Sequence, residues 1–428
     1  MSDYGLKSPR GMKSYLPEIA WQLNELSARI NRVFRCWGYQ PIITPTLEYY
    51  DSLILGMGKR LKRDIYKLID YRGDILALRP EMTAPIARTM AGRLDQLSFP
   101  QRLCYQASVF RYEQPQTGKD REVFQIGVEL IGEKSELADA EAIILAIEAL
   151  LTTGIRDFTI DIGHVGYLEG LMNKVRLGER EKTAIKTYLS RRDLVGLGNY
   201  IDKLGLSEQE QDLLLALPRL RGGQAILEQA GALSADSQSE RVIDRLNRLY
   251  YYLADYGLAR YIAFDLSLLR DFEYYTGVVF EGFTAKLGYT ICGGGRYDHL
   301  IRQFGGRDLP AIGFAIGLER VRLALQKQDF RFTRPGIDGL IVFSRNSSRV
   351  ALKVLRELHR QGKVVLIEER ERIDPAFLNQ VAKRGICKII SFGNGLPDEI
   401  ELFQVKAEVI EQEVIRLEDG WEERVWAH

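Results

Sequence analysis

The spacing of apolar residues near the start of the chain predicts a long amphipathic helix that ends before Gly38. Its apolar face consists of Leu23, Leu26, Ile30, Val33 and Phe34. The apolar stretch that follows, residues 39–50, contains Pro45, and proline within a strand is typical of a sheet edge or an interface. A helix followed by an edge strand fits a dimer contact, and it also fits packing within one subunit.

Residues 110–129 have the pattern of a β-hairpin with polar groups on one face. The second arm places Val123, Gln125, Gly127 and Glu129 on the same side of a strand, because side chains alternate between the two faces. A glutamine and a glutamate at positions that normally face a core indicate groups held for a ligand. A solvent-exposed edge strand would have the same pattern.

Residues 65–77 predict two strands around the turn Arg72-Gly73-Asp74, and a helix follows them. We expect Thr83 to cap that helix, which places Glu81 at the junction between strand and helix. Glu81 is therefore a candidate ligand contact. It is also a candidate for a solvated first-turn carboxylate, which the helix dipole favours.

The remaining pattern divides the chain into four parts. Residues 1–173 and 250–330 predict two halves of one core, residues 174–249 are charged and helical, and residues 331–428 alternate strand and helix as a small α/β domain.

Gly293-Gly294-Gly295 would allow a ligand to approach the backbone closely, although a glycine cluster usually marks a turn. Arg320 lies in the first turns of a helix, where it can pair with phosphate or with a surface acid.

Composition excludes several classes of protein. The 428 residues carry 59 Lys plus Arg against 58 Asp plus Glu, so the net charge of +1 creates no global field for nucleic acid or lipid. The four cysteines lack metal-type spacing, which suits reduced thiols in the cytoplasm and argues against a structural zinc. No apolar run predicts a signal peptide or a membrane span. We expect no metal and no cofactor.

Several dispersed motifs, taken together, resemble the class II aminoacyl-tRNA synthetases, and specifically their histidyl branch. Phe110-Arg111-Tyr112-Glu113 resembles motif 2, Gly317-Leu318-Glu319-Arg320 resembles motif 3, and residues 38–45 resemble the motif 1 dimer segment. Residues 269–277 and 294–298 resemble the two histidine-specific signatures. The resemblance covers about residues 10–325 and implies an α+β fold with an antiparallel sheet core, a helical insertion and a C-terminal α/β domain.

The resemblance also implies roles for individual residues. Histidine presents an ammonium group, a carboxylate and an imidazole edge, so a selective site needs both acceptors and a cation. Glu81, Thr83 and Gln125 match positions that hold the ammonium group, Glu129 and Tyr275 match positions that read the imidazole, and Tyr274 matches a wall of the site. Arg111, Arg270 and Arg320 match clamps for carboxylate and phosphate, and Arg111 and Arg320 are the candidates for residual nucleotide binding.

The chain departs from the synthetases around this site. Gln114 replaces a motif 2 arginine, Phe124 replaces a histidine, Asp120 replaces an aromatic residue and Asp271 replaces a glycine. Such changes remove catalytic groups while leaving amino acid binding intact. They make the chain similar to a non-catalytic branch of the same family, the regulatory subunits of ATP phosphoribosyltransferase. That resemblance implies a homodimer within a hetero-oligomer, a short-form catalytic subunit as partner and L-histidine as effector.

The C-terminal segment argues against tRNA as a partner, because ten carboxylates between residues 398 and 423 would repel a phosphate backbone. Two alternatives stay open. One is an active histidyl-tRNA synthetase, because Arg111, Arg270 and Arg320 remain. The other is a scaffold without a ligand, in which the site residues are remnants.

Overall fold

The structure of the chain is a computed structural model. The structure describes residues 6–57, 64–112, 120–234, 237–270, 272–285, 287–334, 336–392, 399–406, 409–416 and 425. The chain divides into two compact units, Met1–Arg331 and Phe332–His428.

The first unit is built on a nine-stranded sheet in the order β1-β5-β6-β12-β11-β10-β7-β9-β8, and a separate three-stranded sheet has the order β2-β4-β3. The strands are β1 (Gln40–Pro41), β2 (Leu47–Tyr49), β3 (Lys67–Ile69), β4 (Ile75–Leu78), β5 (Gln101–Phe110), β6 (Glu122–Ile131), β7 (Thr159–His164), β8 (Arg221–Gly222), β9 (Ile262–Asp265), β10 (Val278–Phe283), β11 (Cys292–Arg296) and β12 (Ala311–Gly317).

Twelve helices accompany these strands within the described ranges. They are α1 (Pro17–Cys36), α2 (Tyr50–Met57), α3 (Thr83–Ala91), α4 (Glu136–Thr153), α5 (Val165–Lys174), α6 (Glu179–Arg191), α7 (Leu194–Ile201), α8 (Glu208–Ala216), α9 (Ala225–Ser234), α10 (Ser237–Asp255), α11 (Leu300–Gln303) and α12 (Leu318–Lys327).

The large sheet is mainly antiparallel, as the α+β prediction requires, with parallel pairing between β1 and β5 and between β7 and β9. Helix α1 packs against one face, where Phe34 contacts Phe314 of β12 with ring centroids 5.9 Å apart. The neighbours of Phe314, Gly313 and Ala315, line a cavity on the other face because side-chain direction alternates along the strand.

Several sequence predictions are confirmed here. Helix α1 buries Leu23, Leu26, Ile30 and Phe34, and Gly38 beyond its end has a φ of +78°, a left-handed conformation that glycine adopts readily. Strands β5 and β6 form the predicted hairpin, and its tip, residues 113–119, lies outside the described residues. The alternative that the Gly293 cluster is a turn is wrong, because it forms the buried central strand β11.

The second unit is a five-stranded sheet in the order β14-β13-β15-β16-β17. Its elements are β13 (Gly339–Phe343), α13 (Ser348–Arg360), β14 (Val365–Glu369), α14 (Pro375–Lys383), β15 (Lys388–Phe392), β16 (Glu399–Lys406) and β17 (Val409–Arg416). The alternating strands and helices were predicted, whereas the β16–β17 hairpin was not, because acidic residues on both of its strands conceal the apolar alternation.

Candidate functional site

A cavity of about 430 Å³ opens on the first unit between the β5–β6 hairpin, α3 and the loop before β10. Its size lies within the roughly 300–1,000 Å³ of small-ligand sites. Eight of the nine predicted site residues line it, namely Glu81, Thr83, Arg111, Gln125, Arg270, Tyr274, Tyr275 and Arg320. The ninth, Glu129, lies behind this lining and is 1% exposed.

Glu81 is buried and holds the N-terminus of α3. Its carboxylate accepts the backbone N–H of Thr83 at 2.6 Å and that of Ala84 at 2.7 Å. The prediction that Thr83 caps this helix is therefore wrong, because Glu81 takes that role, and a solvated Glu81 is wrong as well. Burial raises the pKa of Glu81, although its two backbone donors oppose the shift. Each carboxylate oxygen retains acceptor capacity for an ammonium group.

Thr83 connects Glu81 to the second buried carboxyl group. The Thr83 hydroxyl donates to Glu129 Oε1 at 2.7 Å, and the Tyr297 hydroxyl donates to Glu129 Oε2. Burial raises the pKa of Glu129 to about 8, because these two hydrogen bonds only partly offset the loss of water. A side chain at Gly313 would overlap Glu129, so glycine is required there.

Arg270 supplies the cation predicted to hold a carboxylate, and it already has a partner. Its Nη1 lies 2.7 Å from Glu281 Oε1, while its Nε has no hydrogen-bond partner among the residues described. The guanidinium lies over Gly293 of β11, where any side chain would overlap it. At Gly293, the glycine-rich strand β11 therefore makes room for the Arg270 side chain, whereas the sequence suggested that it would make room for a ligand.

Aromatic rings form one wall of the cavity. Phe272 and Tyr274 stack with centroids 5.1 Å apart, and Tyr275 lies 4.8 Å from Tyr274. Gly295 of β11 leaves room for the Tyr275 ring, since a Cβ there would lie 2.9 Å from the ring. Such a wall gives a flat ligand an apolar surface with hydroxyl groups at its edge.

Arg111 and Arg320, which the resemblance makes candidates for nucleotide binding, both line the cavity. Arg111 donates to the Pro80 carbonyl at 2.9 Å and lies over the Phe272 ring. Arg320 donates to the Thr290 carbonyl at 2.9 Å and lies over the Tyr289 ring. Both guanidinium groups are held in place, and their binding of nucleotide stays a prediction.

Two of the departures from the synthetase pattern, Asp120 and Phe124, fall on described residues. Asp120 lines the cavity and pairs with Lys13 at 2.7 Å. The backbone N–H of Phe124 donates to Glu319 Oε1 at 2.9 Å. The other two departures, Gln114 and Asp271, lie outside the described residues.

Sequence reasoning missed Glu281 and Tyr297 as site residues. Tyr297 stands within the quoted signature 294–298, so the motif itself contained the signal. Glu281 lies on β10, and only the pairing of β10 with β11 places it beside Arg270. No local pattern could have indicated that contact.

In the ranges that the structure describes, no group of three His, Cys, Asp or Glu side chains has an arrangement suited to a metal ion. None of the helices described there combines the length and apolarity needed to cross a membrane.

Comparison with known proteins shows which proteins this chain is similar to. Residues 11–321 match the family described as histidyl-tRNA synthetase. An ATP phosphoribosyltransferase regulatory subunit from Halothermothrix orenii is 52% identical over 392 residues, which cover 92% of this chain and 93% of that one. The crystal structure of an ATP phosphoribosyltransferase regulatory subunit/histidyl-tRNA synthetase from Bacillus halodurans C is 34% identical with a TM-score of 0.83, covering 92% of this chain and 99% of that one.

Histidyl-tRNA synthetase from Nostoc sp. PCC 7120 is 23% identical with a TM-score of 0.80, and the match covers 96% of this chain and 97% of that one. This likeness shows a shared fold. It confirms the predicted class II synthetase architecture.

Proposed function

Because this chain belongs to the family of ATP phosphoribosyltransferase regulatory subunits, we propose that it binds free L-histidine and regulates a separate catalytic subunit. The chain itself catalyses no step. Its role is feedback on the first step of histidine biosynthesis, with histidine occupying the cavity of the first unit.

One observation carries this proposal: a single cavity brings together acceptors for an ammonium group and a cation for a carboxylate. Glu81, Gln125 and Arg270 all line it. The aromatic wall of Tyr274 and Tyr275 suits the flat imidazole ring. Glu129 is held by Thr83 and Tyr297, and its contact with the imidazole stays a prediction.

The proposed partner is a short-form ATP phosphoribosyltransferase that lacks a regulatory domain of its own, assembled with a homodimer of this chain. Histidine inhibits such an assembly only if it binds the inactive arrangement more tightly than the active one. The coupling free energy typical of allosteric proteins, about 1–3 kcal/mol, corresponds to a roughly 5- to 150-fold difference in histidine affinity between the two arrangements.

Reconstitution tests the proposal directly. The catalytic subunit from the same organism is assayed alone, with this chain, and with this chain plus histidine. We expect Glu81→Gln to abolish the response to histidine while leaving complex formation unchanged. Glu18→Gln is the matched control, because Glu18 is an exposed first-turn carboxylate of α1. A response to histidine that persists unchanged in Glu81→Gln would contradict the proposal.

The second candidate is an active histidyl-tRNA synthetase. It is favoured by Arg111, Arg270 and Arg320, which all line the cavity together with the histidine-site residues. Histidine-dependent exchange of pyrophosphate into ATP separates the two candidates, because it requires adenylate formation and no tRNA. Exchange at rates typical of enzymes, about 1 per second or faster, would establish the synthetase.

A further inference from the structure

The outer face of α13, in the second unit, carries a stripe of positive charge. The inner face of the helix buries Ala351, Val354 and Leu358 against the sheet. On the outer face, cations recur at intervals of three or four residues, which places them along one side of the helix. All of them are exposed: Arg349, Lys353, Arg356 and Arg360.

This row of like charges is unfavourable for the helix by itself. Cations three or four residues apart repel each other, and Arg349 stands in the first turn, where the helix dipole favours acids. Glu357 is the only acid in the sequence of α13, and it pairs with Arg360 at 3.5 Å. Among the residues that the structure describes, the side chains of Arg349, Lys353 and Arg356 have no ion-pair partner. An acidic partner would relieve the repulsion.

An apolar row lies beside the basic stripe. Leu352, Leu355 and His359 follow one another at helical spacing, and together with Arg356 and Arg360 they line a shallow groove of about 430 Å³. Leu352 is 53% exposed, at a position where a solvated helix face normally has a polar residue. Apolar residues flanked by charges of one sign are typical of a surface that binds an amphipathic helix, with apolar contacts along the centre and ion pairs along the side.

A nucleic acid would use the cations of this surface and leave its leucines exposed. Single-stranded RNA sites typically stack bases on aromatic rings, and the sequence of α13 contains no Phe, Tyr or Trp. The His359 ring is held by its Nε2, which lies 3.0 Å from the Val365 carbonyl oxygen. The two rows together therefore favour an acidic peptide over RNA.

We propose that the outer face of α13 is a docking surface for an acidic amphipathic helix of a protein partner. The apolar side chains of that helix pack on Leu352 and Leu355, and its carboxylates pair with Arg349, Lys353 and Arg356. Charge complementarity brings the partner to this face, and the leucines select a helix with an apolar row. The inference does not depend on the proposed function, because it concerns the second unit and uses none of the histidine-site residues.

The test measures binding of synthetic peptides of about 18 residues, long enough to form a helix, to the purified chain by calorimetry. The first peptide has leucines along one side of the helix and glutamates beside them. The second has the same composition with the leucines scattered around the helix. We expect the first peptide to bind saturably at micromolar concentration, and the second to bind at least about tenfold more weakly because it cannot cover the apolar row.

Two variants separate the charged and the apolar contributions. Arg356→Glu should weaken binding of the first peptide at least about tenfold, because it replaces an attraction by a repulsion. The new carboxylate would face Arg360 one turn later, a favourable pair, so the helix should stay folded. Leu352→Ala should weaken binding about fivefold, because apolar contact area is lost.

Lys383→Glu is the matched control for the charge reversal. Lys383 is an exposed residue at the end of α14, and α14 packs on the opposite face of the sheet from α13. This variant should leave the affinity for the first peptide unchanged.

A single-stranded RNA of about 20 nucleotides, long enough to fill a typical single-strand site, is the third probe. RNA that binds more tightly than the first peptide would overturn the inference in favour of a nucleic acid. Equal affinities of the two peptides, or unchanged binding in both Arg356→Glu and Leu352→Ala, would also overturn it. Absence of binding of the first peptide to the wild-type chain would overturn it without any variant. Histidine binding measured on the same preparation tests the proposed function separately.

Discussion

Thr83 donates its hydroxyl proton to Glu129 Oε1 at 2.7 Å, while its backbone N–H is bound by Glu81. One threonine thus joins two buried carboxyl groups that come from different elements, the start of α3 and the centre of β6. Thr83 therefore links Glu81, which lines the cavity, to Glu129, which lies behind the lining.

Thr83→Val tests that connection. The substitution keeps the volume but leaves the buried Glu129 Oε1 without this donor, at a cost of about 1–3 kcal/mol. We expect histidine affinity to fall about tenfold or more, measured by calorimetry. Thr89→Val is the control, because the Thr89 hydroxyl donates to the Pro85 carbonyl on the same helix and lies outside the cavity lining. Equal losses of histidine affinity in Thr83→Val and Thr89→Val would contradict a role of the Thr83–Glu129 hydrogen bond in binding.

The pKa of Glu129 predicts a pH dependence of stability. Its pKa is about 8 in the folded chain against 4.5 as the ordinary value, so the folded state holds a proton that the unfolded state has lost between these pH values. The contribution of this bound proton to the free energy of unfolding is therefore fully present below about pH 4.5 and is lost as the pH rises to about 8. The slope is at most about 1.4 kcal/mol per pH unit.

Glu129→Gln removes this proton equilibrium while keeping the shape of the side chain. Urea unfolding at several pH values between 5 and 8.5 should show the wild-type chain losing stability relative to the variant as the pH rises. The quantity to compare is the difference in unfolding free energy between the wild-type chain and the variant at each pH. This difference is needed because Glu81, whose pKa is also raised, makes the stability of both proteins fall with rising pH. A constant difference across this range would show that Glu129 is ionised in the folded chain.

Gly293→Ala tests the placement of Arg270. The added methyl group would overlap the guanidinium, so Arg270 must leave its position beside Glu281. We expect histidine affinity to fall at least about tenfold, the loss typical of a charge-assisted hydrogen bond. Gly198→Ala is the control, since a Cβ at Gly198 meets no atom within 4 Å. Unchanged affinity in Gly293→Ala would mean that Arg270 does not hold the ligand.

Asp139 and Arg296 form a buried ion pair that supports the strand under the site. The Arg296 Nε lies 2.6 Å from Asp139 Oδ1, and Arg245 of α10 pairs with the other oxygen at 2.8 Å. Asp139→Asn should cost about 3 kcal/mol in urea unfolding, because both arginines lose their buried counter-charge. Asp308→Asn, at an exposed pair with Arg302, should cost less than about 1 kcal/mol. Similar costs for the two variants would contradict this account.

The sequence predicted those parts of the site that depend on local patterns. The hairpin carrying Gln125 and Glu129 follows from alternation, and the place of Glu81 between a strand and a helix follows from the turn and helix signals. The role of Thr83 was mispredicted, because the helix already begins at Thr83 and the buried Glu81, two residues earlier, accepts the N–H groups of Thr83 and Ala84.

Contacts between distant strands could not be predicted in this way. Tyr297, just after β11, meets Glu129 of β6 because the sheet order β6-β12-β11 brings them together. Glu281 of β10 meets Arg270 because Arg270, in the loop before β10, lies over Gly293 of the neighbouring strand β11. The family resemblance supplied the positions of the site residues. The resemblance did not supply the carboxylate that stands beside Arg270.

Titration of the purified chain with L-histidine by calorimetry measures whether the cavity binds free histidine. We expect saturable binding of one histidine per chain below millimolar concentration, lost in Glu81→Gln and retained in Glu18→Gln. We also expect that adding ATP leaves the histidine unreacted. A wild-type chain that shows no heat of binding at millimolar histidine would contradict the claim.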